Sequence, residues 1–283
     1  MSKQKTILIT GCSTGIGLCV AKGLKQRGYR VFATARKSED VDTLKSEGFD
    51  DALQLDLDNS KSIAGAIETV LTKTDGELFA LFNNGAYGQA GAVEDLTRET
   101  LRANFETNVF GTHELTIRLI PTMRKQGYGR IIQNSSVLGF ISLPYRGAYN
   151  ATKHALEGLT DTMRLELNNT NIHVSLIEPG PITSQFRKNA FASYKRNINK
   201  ENSAHKNTYD AMERRLTKEG PSAPFTLPPE AVLKKVIHAL ESDKPKIRYY
   251  VTFPTYLFGT LKRVLSFSWL DKVLLKVSSG EQK

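Results

Sequence analysis

Apolar positions along the 283-residue chain follow two alternating rhythms. Short runs rich in β-branched and aromatic residues occur at 6–10 (TILIT), 30–34 (RVFAT), 52–55 (ALQL), 78–82 (LFALF), 130–134 (RIIQN), 173–177 (HVSLI) and 247–251 (IRYYV). Between them, over 17–27, 60–72, 101–125, 149–168 and 229–241, apolar residues recur every three to four positions, the spacing of helices that bury one face. Strand and helix alternate, and the strands are apolar throughout. That pattern predicts an α/β protein with a doubly wound, seven-stranded parallel sheet covered by helices on both faces. No repeat at solenoid spacing and no low-complexity linker divides the chain, so a single domain is expected.

Two stretches depart from the rhythm. Residues 184–227 are polar and proline-marked at their end, which reads as a substrate loop or lid. Residues 252–283 form a basic amphipathic C-terminal extension that mixes Leu, Phe, Val and Trp269 with Lys262, Arg263, Lys272 and Lys276. Two readings stand for it: contact with the substrate pocket or a subunit interface, or peripheral contact with a membrane surface. Its uncharged stretch, 249–261, is too short to span a bilayer.

Charge changes this picture only once it is located. The net charge of +10 invites a nucleic-acid reading, but residues 1–180 hold 20 basic and 20 acidic side chains, and residues 181–283 hold 19 and 9. A neutral body with a basic C-terminal part argues against nucleic acid as a partner. Cys12 and Cys19 allow neither a disulfide framework nor a four-cysteine metal site, and no metal is expected. A reducing, cytoplasmic setting fits, because the chain runs from Met1 directly into its first strand without a signal-peptide pattern.

The first strand leads into Thr10-Gly11-Cys12-Ser13-Thr14-Gly15-Ile16-Gly17 and then a helix. Gly11 permits the tight turn, Gly15 lets backbone approach a pyrophosphate, and Gly17 lets helix and strand come close, while Ser13 and Thr14 offer hydroxyls. Placed between strand and helix, the motif predicts a dinucleotide site; without a ligand it is a glycine-rich turn. The second strand ends in Ala35-Arg36-Lys37 rather than in an acidic residue. No carboxylate there would repel a 2′-phosphate, and Arg36 can pair with one, so NADP(H) is the expected cofactor. Asp56 and Leu57 after the third strand are candidates for the adenine, and Asn83 and Gly85 for the strand end beside it.

Tyr149 and Lys153 are four residues apart, one turn of one helix face. Lowering a phenol from a pKa near 10 to about 7 takes roughly 4 kcal/mol, and the neighbouring ammonium is expected to supply much of it. Ser136, thirteen residues earlier, can orient a carbonyl and stabilise the charge that develops on its oxygen. Asn108 sits inside a helix, where it either holds a water or serves in side-chain contacts.

The ordered set Thr10-Gly-x-x-x-Gly-x-Gly17, Asn83-Asn84-Gly85-Ala86, Asn108-Val-x-Gly111, Ser136, Tyr149-x-x-x-Lys153 and Pro179-Gly180 resembles the classical short-chain dehydrogenase/reductase family over about residues 5–185. Within it the chain resembles NADP-dependent members, notably bacterial aldehyde reductases, and more distantly the 17β-hydroxysteroid and retinol dehydrogenase group. The resemblance implies a Rossmann-type fold, with residues 1–183 as cofactor-binding and catalytic core. It also implies a mechanism of hydride transfer between nicotinamide and an aldehyde or ketone, or the corresponding alcohol. Tyr149 would be the proton donor, Lys153 its partner on the nicotinamide ribose, Ser136 the carbonyl-polarising hydroxyl and Asn108 part of a water relay. Pro179, Gly180, Ile182 and Thr183 would line the nicotinamide, and the helices of Tyr149 and Asn108 would build a homodimer or homotetramer. One departure stands out: Asn-Asn-Gly-Ala replaces the family's Asn-Asn-Ala-Gly, so a left-handed backbone at Ala86 would be strained.

Two other classes compete with this enzyme. An NADP(H)-sensing protein on the same scaffold has no use for the proton donor, and a sugar-nucleotide epimerase has a different glycine spacing. Phe140, Leu143, Tyr145 and Phe186 suggest an apolar pocket and hence a lipophilic carbonyl substrate.

Overall fold

The computed structural model describes residues 4–221 and 223–279; the last four residues of the C-terminal extension lie outside them. All seven expected strands form: β1 (Thr6–Ile9), β2 (Arg30–Ala35), β3 (Leu53–Gln54), β4 (Ala80–Asn83), β5 (Gly129–Asn134), β6 (Ile172–Glu178) and β7 (Arg248–Tyr250). They hydrogen-bond in the order 3-2-1-4-5-6-7, every neighbouring pair parallel. The first helices are α1 (Gly15–Gln26), α2 (Ser38–Ser46), α3 (Ser60–Lys73), α4 (Arg98–Phe105), α5 (Thr112–Gln126) and α6 (Gly147–Glu166). The rest are α7 (Phe186–Asn197), α8 (Lys206–Thr217), α9 (Glu230–Glu241), α10 (Phe253–Val264) and α11 (Phe267–Ser279).

The two-residue period of a strand sends alternate side chains to opposite faces, and both faces are covered. Ile7, Ile9, Val31 and Ala33 meet Val20 and Leu24 of α1, Val41 of α2 and Val236 of α9. Leu8, Phe32 and Leu81 meet Ile63 and Val70 of α3, Leu115 and Leu119 of α5, and Met163 of α6. Apolar runs without polar alternation are therefore what this sheet requires, and they give the doubly wound single domain that the pattern predicted.

Three segments differ from the simple alternation. The helix expected over 101–125 is α4 and α5 joined through a π-helical turn, Glu106–Gly111, which holds Asn108. A single wide turn of this kind redirects a side chain within an otherwise regular helix. Residues 184–227, read as a polar loop, contain α7 and α8. Their few apolar positions sit at helical spacing: Ala190, Tyr194 and Ile198 on one helix, Tyr209, Met212 and Leu216 on the other, buried together against Ala90 and Ala92. Two tyrosines form the centre of this small core, and their hydroxyls are satisfied. Tyr194 donates to Glu213 (3.0 Å), and Tyr209 donates to Asp95 while accepting from the Ala92 amide (2.9 Å). In the C-terminal extension, Phe258 of α10 and Leu270 and Leu274 of α11 bury against Val137, Leu138 and Ile141, the segment that follows β5.

At the β6–β7 edge an ionic cluster links sheet to helix. Arg248 of β7 donates to Glu178 at the end of β6 and to Glu157 on α6, and reaches Asp161 of α6 at 2.6 Å. Glu157 also accepts from the Ser135 hydroxyl (2.7 Å). Glu178 is fully buried, and burial pushes its carboxyl above the usual carboxylate range; Glu157 adds to the shift and Arg248 opposes it. Because folded Glu178 keeps its proton to higher pH than the unfolded chain, its contribution to stability is complete below the ordinary carboxylate pKa. It is lost as pH rises through the folded value.

Two outcomes follow for denaturation. Arg248→Met removes the cation that Glu157, Glu178 and Asp161 share and should cost about 3–5 kcal/mol in urea unfolding; a loss near zero would mean that the cluster ties nothing together. Glu178→Gln should gain on wild type as the buffer is taken from about pH 5 to about pH 9, because only wild type must ionise a buried carboxyl. A constant gap between the two midpoints across that range would contradict the raised pKa.

Candidate active site

The site lies where the strand order reverses between β1 and β4, at the carboxyl ends of the strands, the position at which open parallel sheets form a crevice. The loop from β1 to α1 adopts left-handed backbone at Gly11 (φ 69°) and Gly15 (φ 61°), which glycine takes without a steric cost. A side chain at Gly11 would stand 2.9 Å from the Gly85 Cα, and one at Gly17 would collide with the Gly11 carbonyl and the Asn84 amide. A side chain at Gly15 would come within 3.1 Å of the Ser184 Cβ, so the segment after β6 crosses directly over this loop. Helix α1 begins with no side-chain cap and no acidic residue in its first turn. Its N-terminal amides and its dipole are thus oriented for an anion, and the exposed Ser13 and Thr14 lie beside them. This cradle fits the pyrophosphate of a dinucleotide.

At the other end of the crevice β2 closes on a buried Ala35, and Arg36 and Lys37 follow, both exposed. Glu39 and Asp40 lie in the first turn of α2, where they complement the helix dipole and leave the β2 end without a carboxylate. Asp56 sits in a local turn: its amide donates to the Ser62 hydroxyl (2.9 Å), and its Oδ1 accepts from the Asp58 amide (3.1 Å). Leu57 is buried beside Gly85 and Gly111.

The amides after β4 divide their work in a way the sequence reading did not specify. Asn83 is buried and donates to Thr116 of α5 (2.8 Å), so its side chain belongs to the helix contact. Asn84 holds the strand ends. Its Nδ2 donates to the carbonyls of Thr10 and Gly11 (3.0 Å each), and its Oδ1 accepts from Asn134 (2.9 Å). The Thr10 hydroxyl accepts from the amides of Asn84 (2.9 Å) and Gly85 (2.7 Å). Neither Gly85 nor Ala86 has positive φ, so the expected strain at Ala86 is absent. Thr10, Asn84 and Asn134 were missed as site residues. The signal for them was positional, since each is a hydrogen-bonding side chain at the carboxyl end of a central strand.

Ser136, Tyr149 and Lys153 converge beyond β5 and at the start of α6. Ser136 opens a short 3-10 turn, Val137–Gly139, and accepts from the Leu138 amide (3.1 Å). Its hydroxyl neighbours the Tyr149 phenol. The Lys153 ammonium is buried, donates to the Asn134 carbonyl (2.7 Å) and lies 5.7 Å from the Tyr149 ring centroid. Phe186 of α7 stands edge-on to Tyr149, with ring centroids 5.1 Å apart. Asn108 is buried and fully engaged: Oδ1 accepts from the Tyr87 amide (3.0 Å), and Nδ2 donates to the Tyr87 carbonyl (2.9 Å) and the Thr152 hydroxyl (3.2 Å).

The electrostatics correct one expectation. Lys153 does not pull the phenol down in the protein alone. Burial pushes the Tyr149 pKa up, and the Ser136 hydroxyl partly opposes it. Burial also lowers Lys153 to about 8 against the pull of Glu157, one helical turn further along α6. Desolvation of the phenol is the dominant cause, and the ammonium 5.7 Å from the ring centroid does not offset it.

After β6, Val137 donates to the Pro179 carbonyl (2.8 Å), Thr183 donates to the Leu227 carbonyl (3.0 Å), and the Leu227 amide donates to the Pro181 carbonyl (3.2 Å). A side chain at Gly180 would collide with Thr252. The segment 179–183 thus runs from the turn after β5 to Ser184, which meets Gly15, and Ile182 shares a cluster with Ile16. The four pocket aromatics and aliphatics separate into two walls. Phe140 stacks on Tyr250 (5.6 Å) and Leu143 joins the α10–α11 side, whereas Tyr145 turns to His205 and Tyr209 of the α7–α8 side.

The sequence pattern described as short chain dehydrogenase matches residues 5–195. The uncharacterized oxidoreductase YbbO of Escherichia coli is 44% identical over 271 residues, covering 96% of this chain and 94% of the relative. Human 17-beta-hydroxysteroid dehydrogenase type 1 is 32% identical, covering 88% and 78%. A crystal structure of a short-chain dehydrogenase from Streptomyces avermitilis superposes with a TM-score of 0.76 at 28% identity, covering 99% of this chain and 97% of that one. With the glycine cradle, the Asn84 brace and the Ser136, Tyr149 and Lys153 cluster in one crevice, the chain belongs to the short-chain dehydrogenase family of oxidoreductases.

Proposed function

We propose that the protein is an NADP(H)-dependent carbonyl reductase or alcohol dehydrogenase acting on a lipophilic aldehyde or ketone. The observation that carries this reading is the convergence of Ser136, Tyr149 and Lys153 at the open end of a crevice whose other end is the glycine cradle. Gly11, Ser13, Thr14, Gly15, Ile16 and Gly17 would hold the pyrophosphate, Arg36 and Lys37 the 2′-phosphate, and Asp56, Leu57 and Gly85 the adenosine side. Pro179, Gly180, Ile182, Thr183 and the pair Tyr149 and Lys153 would hold the nicotinamide riboside. Asn83, with its amide given to Thr116, would act through its backbone.

When bound, NADPH supplies a hydride to the carbonyl carbon. Tyr149 donates its phenolic proton to the carbonyl oxygen as the alcohol forms, and the Ser136 hydroxyl hydrogen-bonds the same oxygen and stabilises its developing charge. A high phenol pKa in the protein alone keeps Tyr149 protonated and ready to act as an acid. Lys153, still charged at neutral pH, stabilises the phenolate left behind. Since the Asn108 side chain is saturated, its contribution to a water relay would come from its backbone carbonyl within the π-helical turn.

The apolar walls around Phe140, Leu143, Phe186 and Tyr250 support a lipophilic substrate. Exposed Phe110 and Ile117, on the π-turn and α5, and Leu159 and Leu165 on α6 support association through these helices, as a dimer or tetramer. The thiols of Cys12 and Cys19 are both unpaired and pushed up, to about 12 and about 11 by burial above all, which suits a reducing, cytoplasmic compartment.

NADPH consumption with a panel of aldehydes, ketones, retinoids and steroids tests the activity. Tyr149→Phe should lower kcat by about 10²- to 10⁴-fold with NADPH binding retained; an unchanged rate would reject the proton-donor role. Reduction should slow as pH rises past about 8, where Lys153 loses its proton. An alkaline limb lying far above that value would separate Lys153 from the step. Arg36→Leu should raise KM for NADPH about 10- to 100-fold and leave KM for NADH nearly unchanged, the worth of one charge-assisted contact. Equal effects on both cofactors would contradict the NADP(H) preference. Ile117→Asp together with Leu159→Asp should lower the molar mass in light scattering to that of one chain; an unchanged mass would move the subunit interface elsewhere.

A further inference from the structure

The helix pair α10–α11 has two apolar faces, and only one of them is buried. The inner face forms part of the pocket wall described above. On the outer side of α10, Phe253, Tyr256, Leu257 and Val264 share one exposed stripe, at offsets of three, four and eleven residues. Phe225 lies against Phe253 with ring centroids 4.8 Å apart and is exposed as well. The stripe continues into α11 with Phe267 and Trp269, which are 84% and 61% exposed. Outward positions of a helix on a water-facing surface are ordinarily polar or charged, so a contiguous aromatic and aliphatic stripe marks a contact.

Charge selects the kind of contact. Residues 252–279 hold Lys262, Arg263, Lys272 and Lys276 against one acid, Asp271, and Lys272 lies over the Trp269 ring at 4.5 Å. A second copy of this chain would bring the same cations face to face in an isologous contact, which costs energy. An anionic lipid surface offers the opposite charge to the lysines and an apolar layer to the rings. Among the described residues no helix is long and apolar enough to cross a membrane, so the contact is interfacial.

We propose that the outer face of α10 and α11 docks the protein on anionic lipid. The role that follows for it, admitting a carbonyl compound dissolved in that lipid, rests on the reductase reading. A groove of about 600 Å³ runs between α11 and the start of α6, lined among others by Leu143, Tyr145, Asn150, Leu274 and Leu275. Its α6 lining, Gly147, Asn150, Ala151 and His154, lies on a different face of that helix from Tyr149. Leu274 faces into the wall while its neighbour Leu275 is exposed, so the same helix meets both the lipid side and the pocket side.

Trp269 is the only tryptophan in the chain, which gives a direct signal. Full-length protein is mixed with phosphatidylcholine vesicles, with or without about 30% phosphatidylserine, a content that gives the surface a negative potential. Expected are a blue shift of the Trp269 emission and about tenfold more sedimented protein with the anionic vesicles, both weakening as salt is raised. Lys262→Glu with Arg263→Glu, and separately Val264→Asp with Phe267→Ser, should each lower sedimentation about tenfold, with unchanged melting and unchanged turnover of a short water-soluble aldehyde. Equal recovery in the supernatant with both vesicles would overturn the proposal. So would variants that lower the oligomeric mass and leave vesicle recovery untouched, since a second copy would then cover the face. Vesicle binding is read without turnover: protein that docks but reduces nothing would refute the reductase reading alone, and protein that reduces but never docks would refute the docking alone.

Discussion

A single run of hydrogen bonds connects the glycine loop to the buried lysine. It passes from the carbonyls of Thr10 and Gly11 through the Asn84 amide to Asn134 and from the Asn134 carbonyl to Lys153. Three strand ends, β1, β4 and β5, are thereby fixed relative to one another at the point where the sheet's winding reverses. Each link satisfies a group that burial would otherwise leave unpaired, at a cost of roughly 1–3 kcal/mol apiece. Displacement of the β4 end would break links on both sides of it, so the glycine loop and Lys153, some strands apart, keep a common geometry. Small residues are needed here for room: Gly11 faces Gly85, and Gly17 faces Asn84.

The chemistry proposed for Tyr149 depends on how charge is balanced behind this run. Lys153 is held in the interior with Glu157 one turn away, and Glu157 shares Arg248 with Glu178 and Asp161. Arg164 also reaches Asp161 (3.4 Å), so three cations face three carboxyls. Of these carboxyls Glu178 is the fully buried one, and burial pushes it toward its neutral form. The same contacts join β6, which leads into Pro179 and Gly180, to the helix that carries Tyr149. Electrostatic balance and mechanical position are supplied by one side chain, Arg248, from the last strand of the sheet.

Much of this was legible from residue pattern. Seven apolar runs gave seven strands because a sheet buried on both faces needs uninterrupted apolar sequence, and the glycine loop and the Tyr149 and Lys153 pair stood out because their spacing is local. What escaped has a common physical cause. The α7–α8 core is built from Tyr194 and Tyr209, whose rings are apolar but whose hydroxyls need partners, so a count of apolar letters reads the segment as loop. Asn84 and Asn83 are adjacent and identical in type, and only the pleat of the strand decides which one turns to Thr116 and which to Thr10. Arg248, Glu178 and Glu157 come from three distant parts of the chain and carry no spacing signal at all. The lowered phenol was expected from proximity to Lys153, but burial, which depends on the whole fold, dominates it.

The excess of positive charge also divides when the fold is seen. Around the turn that joins α7 to α8, basic residues find acids nearby: Lys200 on the turn pairs with Asp210 and Glu213 of α8, and Lys206 of α8 with Glu201 on the turn. Such ion pairs spend their field locally. In α10 and α11 four cations accompany a single acid, and the helices place apolar rings rather than carboxylates beside them. Four cations beside one acid and an apolar surface set up a field directed outward, on helices whose inner side belongs to the cluster that Tyr149 joins. The basic character of the C-terminal part is therefore a property of α10 and α11, separate from the neutral body that forms the glycine loop.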